Sequence, residues 1–273
     1  MIYFDNAATT KAFPEVVRIM EEAMQVIYGN PSAKHIKGME AENLIKEAQD
    51  VIAKSLKAKL GEIFFTSGGT ESNNTAIIGT AMKTHRRGKH IITSRIEHAS
   101  VYEPMRFLEE QGFEVTYLDV DKKGYLRLDE LEEAIRPDTT LVSLMFVNNE
   151  IGTVQPVKEA GEIIKKKNPE TVFHVDAIQA YGKMPITPKN MKIDLLSMSG
   201  HKIHGPKGVG FLYVREGTKI QPLIYGGGQQ KGMRSGTENV PGIAGLGCAC
   251  RLMIGEQYEN ADKIRKIKEY FQE

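Results

Sequence analysis

Apolar runs and amphipathic stretches alternate along this chain from about residue 60 onward. "EIFFTS" (62–67), "HIITS" (90–94), "FEVTYL" (113–118), "TLVSLMF" (140–146), "TVFHVD" (171–176), "DLLSMS" (194–199) and "GVGFLYV" (208–214) read as short strands. They are rich in Val, Ile, Phe and Leu with little internal polarity, as expected of strands covered on both faces. Between several of them lie helical patterns: "TESNNTAIIGTAMKTH", "ASVYEPMRFLEEQ", "LDELEEAI" and "VKEAGEIIKKK". Two further helices are predicted before the first strand, near 14–27 and 35–57, and one long helix over 240–273. Strand–helix alternation of this kind predicts an α/β layer fold with a mostly parallel sheet.

In open α/β sheets, ligands bind outside the carboxyl ends of the strands, so the residues that follow each apolar run carry the functional reading. After "EIFF" comes "TSGGTES", leading into a helix. Gly69 and Thr70 can hold a phosphate against the helix N-terminus, or Ser67 or Thr70 can simply cap that helix, with Glu71 in its first turn. Asp176 ends its run as a counter-ion for a cationic ring, or as a structural ion pair or cap. His98, and Asn149 with Glu150, follow two other runs and are either ligand contacts or satisfied polar residues. "SGHKIHGPKGVG" then places Ser199, His201 and Lys202 together among glycines. A lysine beside glycine is usually a surface lysine. Here phosphate cup, aspartate, histidine, asparagine and lysine fall at successive strand ends, and these are the parts of a pyridoxal phosphate site.

Composition narrows the class without changing this picture. The 273 residues are 41% hydrophobic and 26% charged, with a net charge of +1, so no strong pull toward nucleic acid or an anionic membrane is expected. The opening "MIYFDNAATT" lacks a charged segment followed by an apolar one, and no run is long enough to span a bilayer, so a cytoplasmic location is expected. "NNT" at Asn73 matches a glycosylation acceptor that such a chain should never use. Cys248 and Cys250 are too few for a disulfide framework or a four-thiolate zinc site, and follow small residues that suit close helix packing. His201 and His204, at i and i+3, are not read as metal ligands.

The segments "YFDNAATT", "YGNPSAKH", "FTSGGTESNN", "IEHASV", "NNEIGTVQPV", "HVDAIQAYGK", "SGHKIHGPKGVG" and "GGGQQKGMRSGTENVPGIAG" resemble, in order and spacing, the cysteine desulfurases of nitrogen fixation and iron–sulfur assembly. The resemblance runs from residue 3 to about residue 250. It implies the fold-type I, aminotransferase-like architecture of pyridoxal 5'-phosphate enzymes, a mostly parallel mixed sheet flanked by helices, and a homodimer. It also implies L-cysteine as substrate, with sulfur passed to an enzyme persulfide and alanine released, in the service of a scaffold or other sulfur-acceptor protein.

The same resemblance makes Lys202 the Schiff-base lysine and the carrier of the substrate proton. Asp176 pairs with the pyridinium nitrogen. His98 stacks on the ring and takes part in proton transfer. Gln179 contacts the ring's phenolic oxygen, and Asn149 lies near substrate and ring. Gly69, Thr70, Ser199 and His201 bind the phosphate, and Thr237 serves the phosphate of the partner subunit.

Against that family pattern the expected organisation is an N-terminal segment (1–13), a cofactor-binding large domain (14–255) and the start of a helix (256–273) leading to a small C-terminal domain absent from these residues. That domain carries the family's persulfide cysteine and its carboxylate-binding arginine. The residues present are therefore not expected to sustain persulfide transfer by themselves. Three alternatives stand beside this reading: another enzyme of the same fold, such as a selenocysteine lyase or an aminotransferase; a non-catalytic cofactor-binding fragment; and a nucleotide-binding α/β domain. "GVG" at 208–210 lacks the third glycine of a dinucleotide fingerprint, which disfavours the last.

Overall fold

The computed structural model describes residues 2–255 and 257–272. Its seven strands are β1 (Ile63–Thr66), β2 (His90–Ser94), β3 (Glu114–Leu118), β4 (Thr139–Met145), β5 (Val172–Asp176), β6 (Leu195–Ser199) and β7 (Gly210–Val214). Each falls on one of the seven predicted apolar runs. They form one sheet in the order β1-β7-β6-β5-β4-β2-β3. β7 pairs antiparallel with both β6 and β1, and every other pairing is parallel. The expectation of a mostly parallel mixed sheet holds.

Helices cover both faces: α1 (Pro14–Gln25), α2 (Ile36–Leu56), α3 (Gly69–Thr84), α4 (Ala99–Glu110), α5 (Leu128–Ala134), α6 (Val157–Lys167) and α7 (Val240–Gly255), while α8 (Gln257–Gln272) follows with its described side chains largely exposed. The period-2 alternation of strand side chains splits the core in two. Ile63, Phe65, Val142, Phe173, Val175, Leu196, Met198 and Phe211 belong to the larger core, shared with α1, α2, α6 and α7. Ile91, Leu141, Leu195 and Leu212 point the other way, into a smaller core with α3 and α4. Burial on both faces is why the strands read as continuous apolar runs rather than alternating ones. β3 is the exception. It is an edge strand, and only Leu118 is buried along it.

Polar residues inside the sheet are paired. His174, on β5, meets Ser143 of β4 through Nδ1 at 2.8 Å and Ser197 of β6 through Nε2 at 2.9 Å. Burial pushes its pKa down to about 3, so the ring is neutral at ordinary pH.

The helix expected over 240–273 corresponds to α7 and α8, with residues 256 and 273 outside the described residues. α7 is apolar and glycine-rich because it packs closely on α1 and α2. A Cβ at Gly247 would lie 2.6 Å from Ala48 Cβ and 2.7 Å from Ala48 Cα, nearer than any side chain tolerates. Gly247→Ala should therefore force α7 away from α2 and destabilise the fold by about 1–3 kcal/mol despite alanine's better helix propensity. Denaturant unfolding checks this. A variant as stable as the parent would mean that the two helices are free to separate.

Candidate active site

Five strand ends converge on one cavity of about 470 Å³. β1 leads into Gly69 and Thr70, β2 into His98, β4 into Asn149, β5 ends at Asp176 with Gln179 just beyond, and β6 ends at Ser199 before His201 and Lys202. All nine of these expected site residues line the cavity. Thr237, the tenth, does not; it is exposed on the loop before α7.

At one end of the cavity, α3 starts at Gly69 with Gly68 as its N-cap. No side chain caps it, so the alternative in which Ser67 or Thr70 caps this helix does not hold. First-turn N–H groups have no acceptor within their own helix, and the helix dipole makes this end favourable for an anion. Gly68 has φ of 146°, a conformation that side chains avoid. Gly69 is pressed against Ile178, whose Cδ1 a Cβ there would approach to 2.2 Å. Ser199 and His201 complete the end of the cavity, and burial together with the charges of Lys202 and Lys207 lowers the His201 pKa. Glu71 does not cap forward. Its carboxylate accepts from Ser67 N at 2.9 Å and from Arg234 Nε at 3.0 Å, tying α3 to the loop that carries Thr237.

In the middle, Asp176 is 5% exposed. Its partners are neutral donors: Asn73 Nδ2 at 2.8 Å and the Ile178 N–H at 3.0 Å. Burial raises its pKa, and the bonds from Ile178 and Asn73, with the nearby His98 and Lys202, only partly offset that. A cation arriving beside it would relieve the desolvation cost.

Lys202 Nζ donates to the carbonyls of Ala7 and Ala8 at 2.6 and 2.9 Å. Burial lowers its pKa, while Asp176 and Asp5 pull the other way. The Lys202 loop is strapped by the N-terminal segment. Thr10 N and Oγ1 both donate to His201 O, at 2.9 and 2.7 Å, and Phe13 N donates to His204 O at 3.1 Å. Gln179 Nε2 also donates to Ala7 O. A second amine lies beside Gln179: the exposed Lys183 donates to Gln179 Oε1 at 3.0 Å, and desolvation, with Lys202's charge, lowers its pKa to about 8. His204 turns outward, bonding Lys11 O through Nδ1 and stacking on Phe13.

Sequence reasoning missed several contributors. Asp5, Ala7 and Ala8 line the cavity from the N-terminal segment. Ser100 lines it from α4. Asn73 is fully buried beneath it. Glu97, beside His98, ties that loop to β4: its Oε1 accepts from Met145 N at 2.9 Å and Ser94 Oγ at 2.6 Å. Strict strand-end position, the signal that found the rest, does not reach residues on a helix or on a crossing segment, and it gave no reason to single out Glu97 beside His98.

The donor set suits pyridoxal phosphate: an amine of lowered pKa, a buried carboxylate without a salt-bridge partner among the described residues, and a helix N-terminus with Ser199 and His201 beside it. The class V aminotransferase pattern matches residues 2–273, and the chain belongs to that family of pyridoxal phosphate enzymes. Within the family, curated proteins that it resembles include cysteine desulfurases. It is 49% identical over 270 residues to the cysteine desulfurase IscS of Dictyoglomus turgidum, covering 99% of this chain and 68% of that protein. A solved NifS-like protein superposes with a TM-score of 0.97 at 45% identity, over 98% of this chain and 74% of that one. A structure described as SspA in complex with cysteine gives a TM-score of 0.89 at 45% identity, over 92% and 72% of the two chains. The chain spans about two thirds of the length of the curated desulfurases it matches.

Glu97 makes a pH test possible. Its Oε2 is shielded from solvent and has no hydrogen-bond partner among the described residues, and burial raises the carboxyl pKa to about 8. Between an unfolded value near 4.5 and this folded value the native state binds more protons than the unfolded chain. Stability from this group therefore falls as pH rises from about 4.5 to about 8, by about 1.4 kcal/mol per unit of pKa difference at most. Glu97→Gln keeps an acceptor for Met145 N and removes the titration. Denaturant midpoints across this range should decline less steeply in the variant than in the parent, and parallel curves would contradict the assignment.

Proposed function

We propose that this chain is the cofactor-binding part of a pyridoxal phosphate-dependent cysteine desulfurase, with L-cysteine as substrate. The observation that carries the reading is the single cavity in which Lys202, Asp176 and the first turn of α3 meet. In this reading Gly69, Thr70, Ser199 and His201 hold the phosphate, and Asp176 faces the ring nitrogen. Gln179 and Asn149 contact the ring and substrate. His98 covers the ring face, and Lys202 is the amine offered to the aldehyde. Bound there, the cofactor supplies an electron sink that weakens bonds at the substrate's α- and β-carbons. Asp176 keeps that sink effective by holding a proton on the ring nitrogen, and Lys202 and His98 hold and move protons above it.

Several finer features belong to the same reading. The organisation is an N-terminal segment (1–13), a large domain (14–255) and the start of a helix (256–273) that leads onward in the family. Thr237, outside its own cavity and on a loop fastened through Arg234 to Glu71, serves the partner's phosphate in a homodimer. The sulfur passes to an acceptor such as an iron–sulfur scaffold, in the cytoplasm. Among the described residues no helix is long and apolar enough to cross a membrane.

The two thiols present are poor candidates for the persulfide. Cys250 is fully buried, and burial pushes its pKa up to about 12. Cys248 is half-buried on the same helix, with its pKa also raised by burial. A neutral thiol is a weak attacking group.

The test is spectroscopic and chemical together. Loaded with pyridoxal phosphate, the 273-residue chain should change its visible absorbance on addition of L-cysteine, while sulfide and alanine stay near background. Asp176→Asn should keep most of its cofactor but blunt the response to cysteine, and Thr70→Ala should mainly weaken cofactor affinity, by roughly tenfold for one lost phosphate bond. An unchanged spectrum with L-cysteine would overturn the substrate. Robust sulfide release abolished by Cys248→Ser/Cys250→Ser would show that an α7 thiol does the chemistry.

A further inference from the structure

Behind the cavity wall an unbroken set of hydrogen bonds joins the carboxylate to the imidazole. Asn73, fully buried on α3, donates from Nδ2 to Asp176 Oδ2 at 2.8 Å and to Ser100 Oγ at 2.9 Å. Ser100 Oγ lies 2.8 Å from His98 Nδ1, and the Ser100 backbone N–H donates to the same nitrogen at 3.0 Å. We propose that Asn73 and Ser100 are positioning residues that tie Asp176 to His98 and hold the neutral His98 ring as its Nε2–H tautomer.

The argument is one of donors and acceptors. Both hydrogens of the Asn73 amide are used on one side, toward a carboxylate oxygen and a hydroxyl oxygen. The reversed amide would set its oxygen against the carboxylate. The orientation holds at the expense of Asn73 Oδ1, which is buried without a partner among the described residues. Because Ser100 Oγ accepts from Asn73, its own hydrogen is left for His98 Nδ1. A backbone N–H can only donate, so the bond from Ser100 N independently requires Nδ1 to accept. A neutral imidazole accepting at Nδ1 carries its hydrogen on Nε2. His98 is thereby both the N-cap of α4 and a lining residue of the cavity.

This deepens the function proposed above and rests on it for its consequence alone. In the neutral ring, Nε2 presents a hydrogen and no lone pair, so His98 offers a hydrogen bond there rather than a base, and Lys202 is left as the group that removes a proton. A change at Asp176 is transmitted to His98 without contact between them. Asn73, which the sequence offers as a glycosylation acceptor, is spent on this link.

The experiment is long-range nitrogen–proton NMR on the chain labelled with 15N-histidine, without cofactor, at a pH where the ring is neutral. His98 is assigned by the signal missing in His98→Gln. The parent should show a bare Nδ1 and a protonated Nε2. Ser100→Ala and Asn73→Ala, which keep the Ser100 N–H, should each move the His98 Nδ1 resonance away from its parent position as the hydroxyl bond is lost or loosened, Ser100→Thr should restore the parent pattern, and Asn73→Ala should bind pyridoxal phosphate roughly tenfold more weakly. A protonated Nδ1 in the parent, or parent-like signals in Asn73→Ala, would overturn the proposal. If Asn73→Ala does not fold, the Ser100→Ala and Ser100→Thr pair decides by the same spectra. Because the measurement uses cofactor-free protein, its failure is distinct from failure of the cysteine reading, which would show as inertness to cysteine with the tautomer as stated.

Discussion

Asp176 is an ionisable group at the inner end of a central strand, 5% exposed and held by two neutral donors. A buried carboxylate is costly unless charge or several hydrogen bonds compensate it. Its neighbourhood is arranged around that cost. Asn73 spends an amide on it and leaves its own oxygen unpaired among the described residues, His98 and Lys202 lie close enough to favour the ionised form, and the space above is open to a cation. A protonated pyridine ring answers that need more fully than any side chain present.

The sheet supplies the rest by topology. Parallel strands β1, β2, β4, β5 and β6 end on one side, so residues more than a hundred positions apart share one cavity. The antiparallel β7 returns directly from the Lys202 loop, its Gly210 packed so close to Gly68 that a Cβ would come within 2.9 Å of the Gly68 Cα. The phosphate end and the lysine loop are thus held against each other by backbone packing. The N-terminal segment then closes over the loop through Thr10 and Phe13 and gives Lys202 two carbonyls.

What the sequence discloses and what it withholds follow from range. The strands are legible because burial on both faces makes each a local apolar run, and Gly69, Asp176 and Lys202 are legible because they follow those runs directly. β3 reads the same way yet is an edge, because strand order is not a local property. Ala7 and Ala8 act through backbone carbonyls and carry no side-chain signal. Asn73 lies one turn inside a helix whose small polar residues suggest only packing, and nothing local reveals that it faces Asp176, 103 residues away. Thr237 matches the family motif but lies outside its own chain's cavity, so its role stays with the proposed dimer.

The central claim is that one amine, Lys202, is the group this cavity offers to the cofactor's aldehyde. Borohydride reduction of the chain with pyridoxal phosphate, followed by peptide mapping, tests it directly, because a second amine of lowered pKa, Lys183, stands beside Gln179 as an internal rival. The account predicts a single stoichiometric label on the peptide bearing Lys202, lost in Lys202→Ala and kept in Lys183→Ala. Label on Lys183, or none on either lysine, would contradict it.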